Sequence, residues 1–285
     1  MASGGTGTIA ASWKGIFMSN SPPFPSVSLP SQRSEQKPRS SGVTMMADWG
    51  IPLHHQEDLL KLGGRYLDFA KIVTGTARLY ERNYLIEKLE LYKREAVRPF
   101  IGGQFFEYVL ANQGWKGLEP FLSEALLLGF DTIEISDNCI PLSGEERKRA
   151  VDMALAAGLR VMGEVGSKNQ ANEAEELIGQ AQDFFDAGAE YVLVEAAELI
   201  EDGRIKPQLL IAIRGRLELS RVMIELPGPW ISGVSLSLVQ DLKKAIVSEF
   251  GPDVNLANIH AEDVIATEAI RVGLGVVGPT KRMAQ

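Results

Sequence analysis

Acidic, basic and amide side chains recur at the ends of eight short apolar runs in this chain. In order, the run ends carry Asp48; Lys71 with Thr76; Gly102 and Gly103 with Glu107; Glu134 with Ser136 and Asp137; Glu164 with Lys168; Glu195; Glu225; and Asn255 with Asn258. A carboxylate beside an apolar run is costly to bury unless it is ion-paired or holds a cation. Taken singly, each acid is equally well explained by an ion pair with a nearby Lys or Arg, or by a solvated loop. Recurrence on separate units points to a shared purpose instead. An oxygen-rich cluster suits Mg²⁺, which prefers carboxylates and water to imidazole or thiolate. The histidines argue the same way: His54 and His55 are adjacent and His260 follows the last run, which is not zinc spacing.

Two lysines stand apart from the solvent-facing majority. Lys71 ends the run YLDFAK and Lys168 lies in the turn after Glu164. Either could clamp an anion, donate a proton, or form a Schiff base if its pKa is lowered; a surface lysine is the lesser reading of each. Gly102-Gly103 would let backbone approach a ligand closely, or simply make a tight turn. Cys139 is the single cysteine, so no internal disulfide forms. A buried or incidental thiol is the better reading of it than a nucleophile, and its solitude suits a reducing cytoplasm.

The elements that must position these residues alternate. Strand candidates are 43–47, 66–72, 97–101, 132–135, 160–165, 191–194, 222–224 and 254–259. Between them lie amphipathic stretches such as 144–157 and 172–187, with Gly158, Gly188 and Gly251 as helix stops. A doubly wound open sheet would alternate in the same way. No G-x-G-x-x-G follows the first run, however, and polar residues end nearly every run rather than clustering after two. A (β/α)₈ barrel gathers all its strand ends at one mouth, so this is the expected fold, as one domain over residues 41–285.

Residues 1–40, rich in Gly, Ser, Pro and Thr without apolar periodicity, read as a flexible tail. Their first thirty positions lack an acid, which leaves a targeting peptide as the lesser reading. A formal net charge of −8 without a long basic run speaks against nucleic acid or an anionic membrane as partner. No apolar stretch has the length of a membrane span. The expected partner is a small anionic molecule, and the expected location is the cytoplasm. A homo-oligomer formed through the outer helices is compatible with the sequence, with Trp115 or Trp230 at the contact or, equally, in core or loop packing.

Several segments together resemble the phosphosulfolactate synthase family: GVTMMADWG (42–50), YLDFAK (66–71), Gly102-Gly103 with Phe105-Phe106-Glu107, IEIS (133–136), EVGSK (164–168), AGAEYVLVEA (187–196) and NLANI (255–259). The similarity runs from about residue 42 to about residue 275. It implies a (β/α)₈ barrel that adds sulfite to phosphoenolpyruvate in a Mg²⁺-dependent step towards coenzyme M. It also implies that Lys168, in the family's E-V-G-x-K motif, is the general acid, with Glu164 beside it in the catalytic centre. Glu134, Glu195 and Glu225, together with Glu164, would hold the metal directly or through water, with Asp48 a further ligand candidate. Lys71 would take the phosphate or sulfite, and Thr76, Gly102, Gly103, Ser136 and Asn258 complete the expected substrate contacts.

The departures from the family pattern fall where anions are expected to bind. The family's E-[AG]-R-E-S-G becomes Glu195-Ala196-Ala197-Glu198-Leu199-Ile200, which replaces an arginine by Ala197. G-L-R-x-D-T becomes Gly273-Leu274-Gly275-Val276-Val277-Gly278, which loses a second arginine at Gly275. G-W-G-T becomes Val73-Thr74-Gly75-Thr76, and G-G-T becomes Gly102-Gly103-Gln104. Losing a bidentate phosphate clamp costs a few kcal/mol, enough to change a substrate. Three readings therefore stand: the family reaction or a close variant, a related barrel lyase acting on another oxyacid, and a stress-related or scaffolding barrel without catalysis.

Overall fold

Side chains alternate between the two faces of a strand, so strand register decides which run ends meet. In the computed structural model, which describes residues 22–29, 33–34, 36–166, 174–201, 204–205, 207–228 and 233–275, eight parallel strands close into a barrel. They are β1 (Thr44–Asp48), β2 (Phe69–Ile72), β3 (Arg98–Ile101), β4 (Thr132–Ile135), β5 (Arg160–Val165), β6 (Tyr191–Glu195), β7 (Val222–Glu225) and β8 (Asn255–Ile259). Each pairs with the next in chain order, and β8 closes onto β1. The expected (β/α)₈ barrel is the fold.

Helices α1 (Leu53–Gly63), α2 (Arg82–Arg94), α3 (Gly103–Gln113), α4 (Leu118–Leu128), α5 (Gly144–Ala157), α6 (Ala174–Ala187), α7 (Pro207–Arg216), α8 (Leu236–Phe250) and α9 (Val264–Arg271) lie between and after the strands. Local chemistry sets their ends. Ser143 and Glu146 form a reciprocal capping box at the start of α5, and Gly158 ends it at φ 96°. Gly188 at φ 105° and Gly251 at φ 88° follow α6 and α8 as the sequence predicts. Two features escape that pattern. The β3–β4 connection holds two helices, and a short antiparallel ribbon pairs Ile200–Glu201 with Arg204–Ile205 after β6.

Parity divides the apolar residues into two sets. Met45, Phe69, Phe100, Met162, Tyr191, Leu193, Met223 and Ala257 fill the barrel interior. Phe69 meets Phe100 and Tyr191 edge to face, at centroid separations of 6.3 and 5.6 Å, each pair adding about 0.5–1.5 kcal/mol beyond burial. Met46, Ile72, Ile101, Ile133, Val161, Val192 and Ile224 face outward and pack under the helices. The carboxyl end of the interior stack is left to polar residues.

The other end of the barrel is closed by the segment before β1. Arg33 pairs with Glu268 at 2.8 Å and donates to the carbonyls of Gly42 and Tyr66. Lys37 reaches the carbonyls of Gly64 and Glu95 at 2.9 and 3.1 Å, and Arg39 pairs with Asp68 at 2.8 Å. Composition groups these residues with a flexible tail, yet their cations are docked on the barrel base. Arg271, at the end of α9, bonds the carbonyls of Pro252, Val254 and Val43 there too. Gly275 lies just beyond, packed against Ile270 of α9.

Candidate active site

Lys71 points inward because it is two residues beyond Phe69, whose ring lies in the interior stack. By the same parity Glu134 follows Thr132, Glu164 follows Met162, Glu195 follows Leu193 and Glu225 follows Met223. All four glutamates are buried, each at 1–2% exposure. Register sets Glu195 beside Glu225. Carboxylate oxygens of Glu134, Glu164 and Glu225 lie within 4.8 Å of one another, close enough to share one cation.

Lys71 Nζ sits 2.8 Å from Glu134 Oε2 and 3.1 Å from Glu225 Oε1. Burial opposes its charge, but the carboxylates of Glu134, Glu225 and Glu164 outweigh that and raise its pKa well above the ordinary lysine value. Lys71 is thus a fixed ammonium, which removes the Schiff-base option for it at neutral pH. The glutamates of the triad also accept from neutral donors. Gly103 N–H donates to Glu134 Oε1 at 2.7 Å, Asn138 Nδ2 to Glu164 Oε1 at 2.7 Å, and Asn258 Nδ2 to Glu225 Oε1.

Asn258 reaches the mouth through a local irregularity. The β1–β8 register runs from Thr44 opposite Leu256 to Met46 opposite Ile259, so β8 spends one more residue than β1. Asn258 takes up the extra residue at φ 58°, a conformation asparagine tolerates better than most residues, and the bulge re-aims its side chain. Gly103 is demanded by space. A Cβ there would lie 2.3 Å from Ser136 Oγ and 2.9 Å from Glu134 Oε1. Gly102 abuts Lys71, whose Cε would be 3.1 Å from an added Cβ.

Other expected contacts are engaged elsewhere. Asp48 follows the parity of Met46 and points outward, not into the mouth. It accepts from Lys88 Nζ at 2.6 Å, Tyr92 Oη at 2.7 Å, and the N–H groups of Gly50 and Ile51 at 2.8 and 2.9 Å. This carboxylate braces α2 and the β1–α1 loop, apart from the glutamate triad. Ser136 donates to Glu107, whose other oxygen accepts from the N–H groups of Cys139 and Ile140, so both residues fasten the β4–α5 loop. Thr76 Oγ1 donates to Val73 O at 2.7 Å in its own turn. Cys139 is exposed. Lys168 lies outside the described residues, as does Trp230. Trp115 is half-buried against the core with Arg149 over its ring at 4.2 Å.

Asn138, Lys88 and Tyr92 were not legible as site or brace residues. Asn138 sits in a loop where asparagine is ordinary, and the lysine and tyrosine are spaced like any helix positions. Gly166, at φ 107°, turns the chain after β5 past Glu195 and Glu198, whose Cβ and Cγ would each be 3.0 Å from an added Cβ. A separate cavity of about 680 Å³ opens between α2, α3 and α4, lined among others by Arg78, Arg82, Phe105 and Tyr108. It faces the outer helices, away from the carboxylates. Among the described residues no helix is long and apolar enough to cross a membrane.

Residues 32–276 match the family model described as (2R)-phospho-3-sulfolactate synthase (ComA). The chain is 33% identical over 245 residues to the phosphosulfolactate synthase of Methanocaldococcus jannaschii, covering 82% of this chain and 92% of that protein. It is 22% identical over 264 residues to the protein HEAT-STRESS-ASSOCIATED 32 of Arabidopsis thaliana, covering 83% and 87%. Among solved structures, the YdjI aldolase of Escherichia coli superposes with a TM-score of 0.53 at 14% identity, over 80% of this chain and 78% of that one, a likeness of fold alone. The family match begins at residue 32, ahead of the arginine and lysine contacts at the barrel base.

Proposed function

Because the chain belongs to the phosphosulfolactate synthase family, we propose that it is a lyase-type synthase that joins sulfite to phosphoenolpyruvate, giving (2R)-phospho-3-sulfolactate or a close variant, with Mg²⁺ as cofactor. The observation that carries the proposal is geometric: the buried carboxylates of Glu134, Glu164 and Glu225 bring oxygens within 4.8 Å of one another, close enough to share one divalent cation. The donor set is all oxygen, which fits Mg²⁺ rather than zinc or copper. Glu134, Glu164 and Glu225 would hold the ion, with Glu195 beside Glu225 as a further oxygen source.

In the proposed reaction the sulfur of sulfite bonds to the methylene carbon of phosphoenolpyruvate. The double-bond electrons move onto the carboxylate, and a proton then reaches C2. A bound Mg²⁺ would stabilise the charge that builds on the carboxylate. Lys71, held cationic at the mouth, attracts the anionic substrates and orients their oxygens. Gly102 and Gly103 keep that approach open, since any side chain at either would crowd Lys71 or Ser136. Lys168 is assigned the proton delivered to C2 on the family resemblance. The oxyacid remains open to variation, because Ala197 stands where the family carries an arginine next to the sixth strand.

The test is incubation of the purified protein with Mg²⁺, phosphoenolpyruvate and sulfite, with mass spectrometry for phosphosulfolactate. Product should form, and Lys168→Ala should abolish turnover in a folded protein. No product at high enzyme loading would sink the assigned substrates. Should other enolic acids or oxyacids react instead, the related-lyase reading would replace this one. We place the protein in the cytoplasm, where its single cysteine is at ease.

A further inference from the structure

Asn138 takes no part in the family motifs, yet its side chain touches the acidic triad. It stands on the β4–α5 loop and donates Nδ2 to Glu164 Oε1 at 2.7 Å, linking that loop to β5. The NH₂ group of the amide faces Glu164, whose oxygen accepts from it. The geminal Oδ1 is a buried oxygen with no hydrogen-bond partner among the described residues. Buried amide oxygens are almost always paired, and one without a partner beside an acid cluster marks a place for a missing donor or ion. Neutral amide oxygens are ordinary ligands of hard divalent cations.

Resting on the cation reading above, we propose that Asn138 is a positioning residue for Glu164 and supplies Oδ1 as a neutral oxygen ligand to the same ion. Its amide N–H holds one oxygen of Glu164 in place without neutralising the carboxylate's charge. Its carbonyl adds a donor that carries no charge of its own. The ligand set thus gains an oxygen without a further charge.

The experiment uses the full chain, without substrate, and Mn²⁺ as the probe, followed by calorimetric titration and by thermal unfolding with and without the ion. Asn138→Ala should bind Mn²⁺ about 10-fold or more weaker than wild type, the usual range for losing such a partner, while its metal-free melting temperature is unchanged or raised. Asn138→Asp places a second carboxylate against Glu164. It should melt earlier than wild type without metal and show a larger Mn²⁺-dependent rise in melting temperature. A residue that merely shapes the loop would alter both states equally. Wild-type Mn²⁺ affinity in Asn138→Ala, or an Asn138→Asp protein whose loss of stability is the same with and without Mn²⁺, would overturn the assignment. If Asn138→Ala does not fold, the Asp variant decides. Failure of the wild type itself to bind Mn²⁺ would remove the cation reading and this assignment with it, whereas binding unaffected by Asn138→Ala would remove the assignment alone.

Discussion

Replacing Gly103 with alanine tests whether the mouth is built as tightly as the geometry implies. Gly103 opens α3, where alanine would ordinarily stabilise a helix by roughly 0.5–1 kcal/mol. Space reverses the sign. The new Cβ would stand 2.3 Å from Ser136 Oγ, 2.7 Å from Ser136 Cβ and 2.9 Å from Glu134 Oε1. Ser136 cannot simply rotate away, because its Cβ is fixed to the end of β4 and its hydroxyl is bonded to Glu107. Either the start of α3 or the end of β4 must therefore move, and either motion stretches the 2.7 Å bond from Gly103 N–H to Glu134. Overpacking costs about 1–3 kcal/mol. Losing a hydrogen bond to a charged group adds about 1.5–3 kcal/mol.

After the helix-propensity gain is set against these costs, Gly103→Ala should lose roughly 2–5 kcal/mol. For a domain of this size that lowers the melting temperature by about 5 °C or more. Urea denaturation with an unchanged m-value would confirm that the loss is in the native state. Gly179, inside α6 with nothing within 4 Å of its Cβ position, provides the control, and Gly179→Ala should gain up to about 1 kcal/mol. Adding Ser136→Ala to Gly103→Ala removes the closest clash and should recover part of the loss, a coupling that distant sites do not show. A Gly103→Ala protein as stable as wild type, with unchanged Mn²⁺ affinity, would refute the reasoning.

Three further outcomes follow from the same contacts. Lys71→Met removes the ammonium that pairs with Glu134 and Glu225 and should cost about 3–5 kcal/mol, with Mn²⁺ restoring more stability to the variant than it adds to wild type; equal metal responses in thermal unfolding would count against a cation shared by these carboxylates. Arg33→Met strands Glu268 at the barrel base and should also destabilise by about 3–5 kcal/mol, while Mn²⁺ affinity measured by titration stays at the wild-type value. Burial pushes the Tyr80 phenol up to about 12 and raises those of Tyr92 and Tyr191 as well. The folded state therefore keeps protons that the unfolded chain releases near pH 10. Stability should be fully present below pH 10 and fall as pH rises towards 12, by at most about 2.7 kcal/mol for a two-unit shift and less for a ring that solvent partly reaches. Chemical denaturation at several alkaline pH values would read the slope, and Tyr80→Phe should flatten it.

The barrel was legible because its signals are local and repeated. Apolar runs with polar ends, amphipathic stretches and the glycine stops at 158, 188 and 251 each report one βα unit. The glutamates were legible as a group, but the sequence could not tell Asp48 apart from them. Asp48 and Glu225 look alike in the sequence, each an acid closing an apolar run, and strand parity separates them: one faces α2, the other the barrel axis. The bulge that turns Asn258 towards Glu225 depends on the register between the first and last strands, which no local pattern encodes. Arg33 and Arg39 sit in a stretch whose composition suggests disorder, yet single cations dock there because Glu268 and Asp68 await them from far along the chain.

Lys88 with Asp48 and Lys71 with the glutamates are two answers to the problem of burying charge. In the first, one ammonium, one phenol and two backbone N–H groups surround a single carboxylate, and burial that would neutralise Lys88 is opposed by the acid it touches. Nothing is left over, so the group can only brace the fold. In the second, the Lys71 ammonium is shared by two carboxylates, and Gly103, Asn138 and Asn258 add neutral donors to the three glutamates. Neutral N–H donors favour the ionised carboxylate without cancelling its charge. Amides and a glycine at these positions order the three acids without adding charge to them, which suits a site that gathers a cation and an anionic substrate at one point.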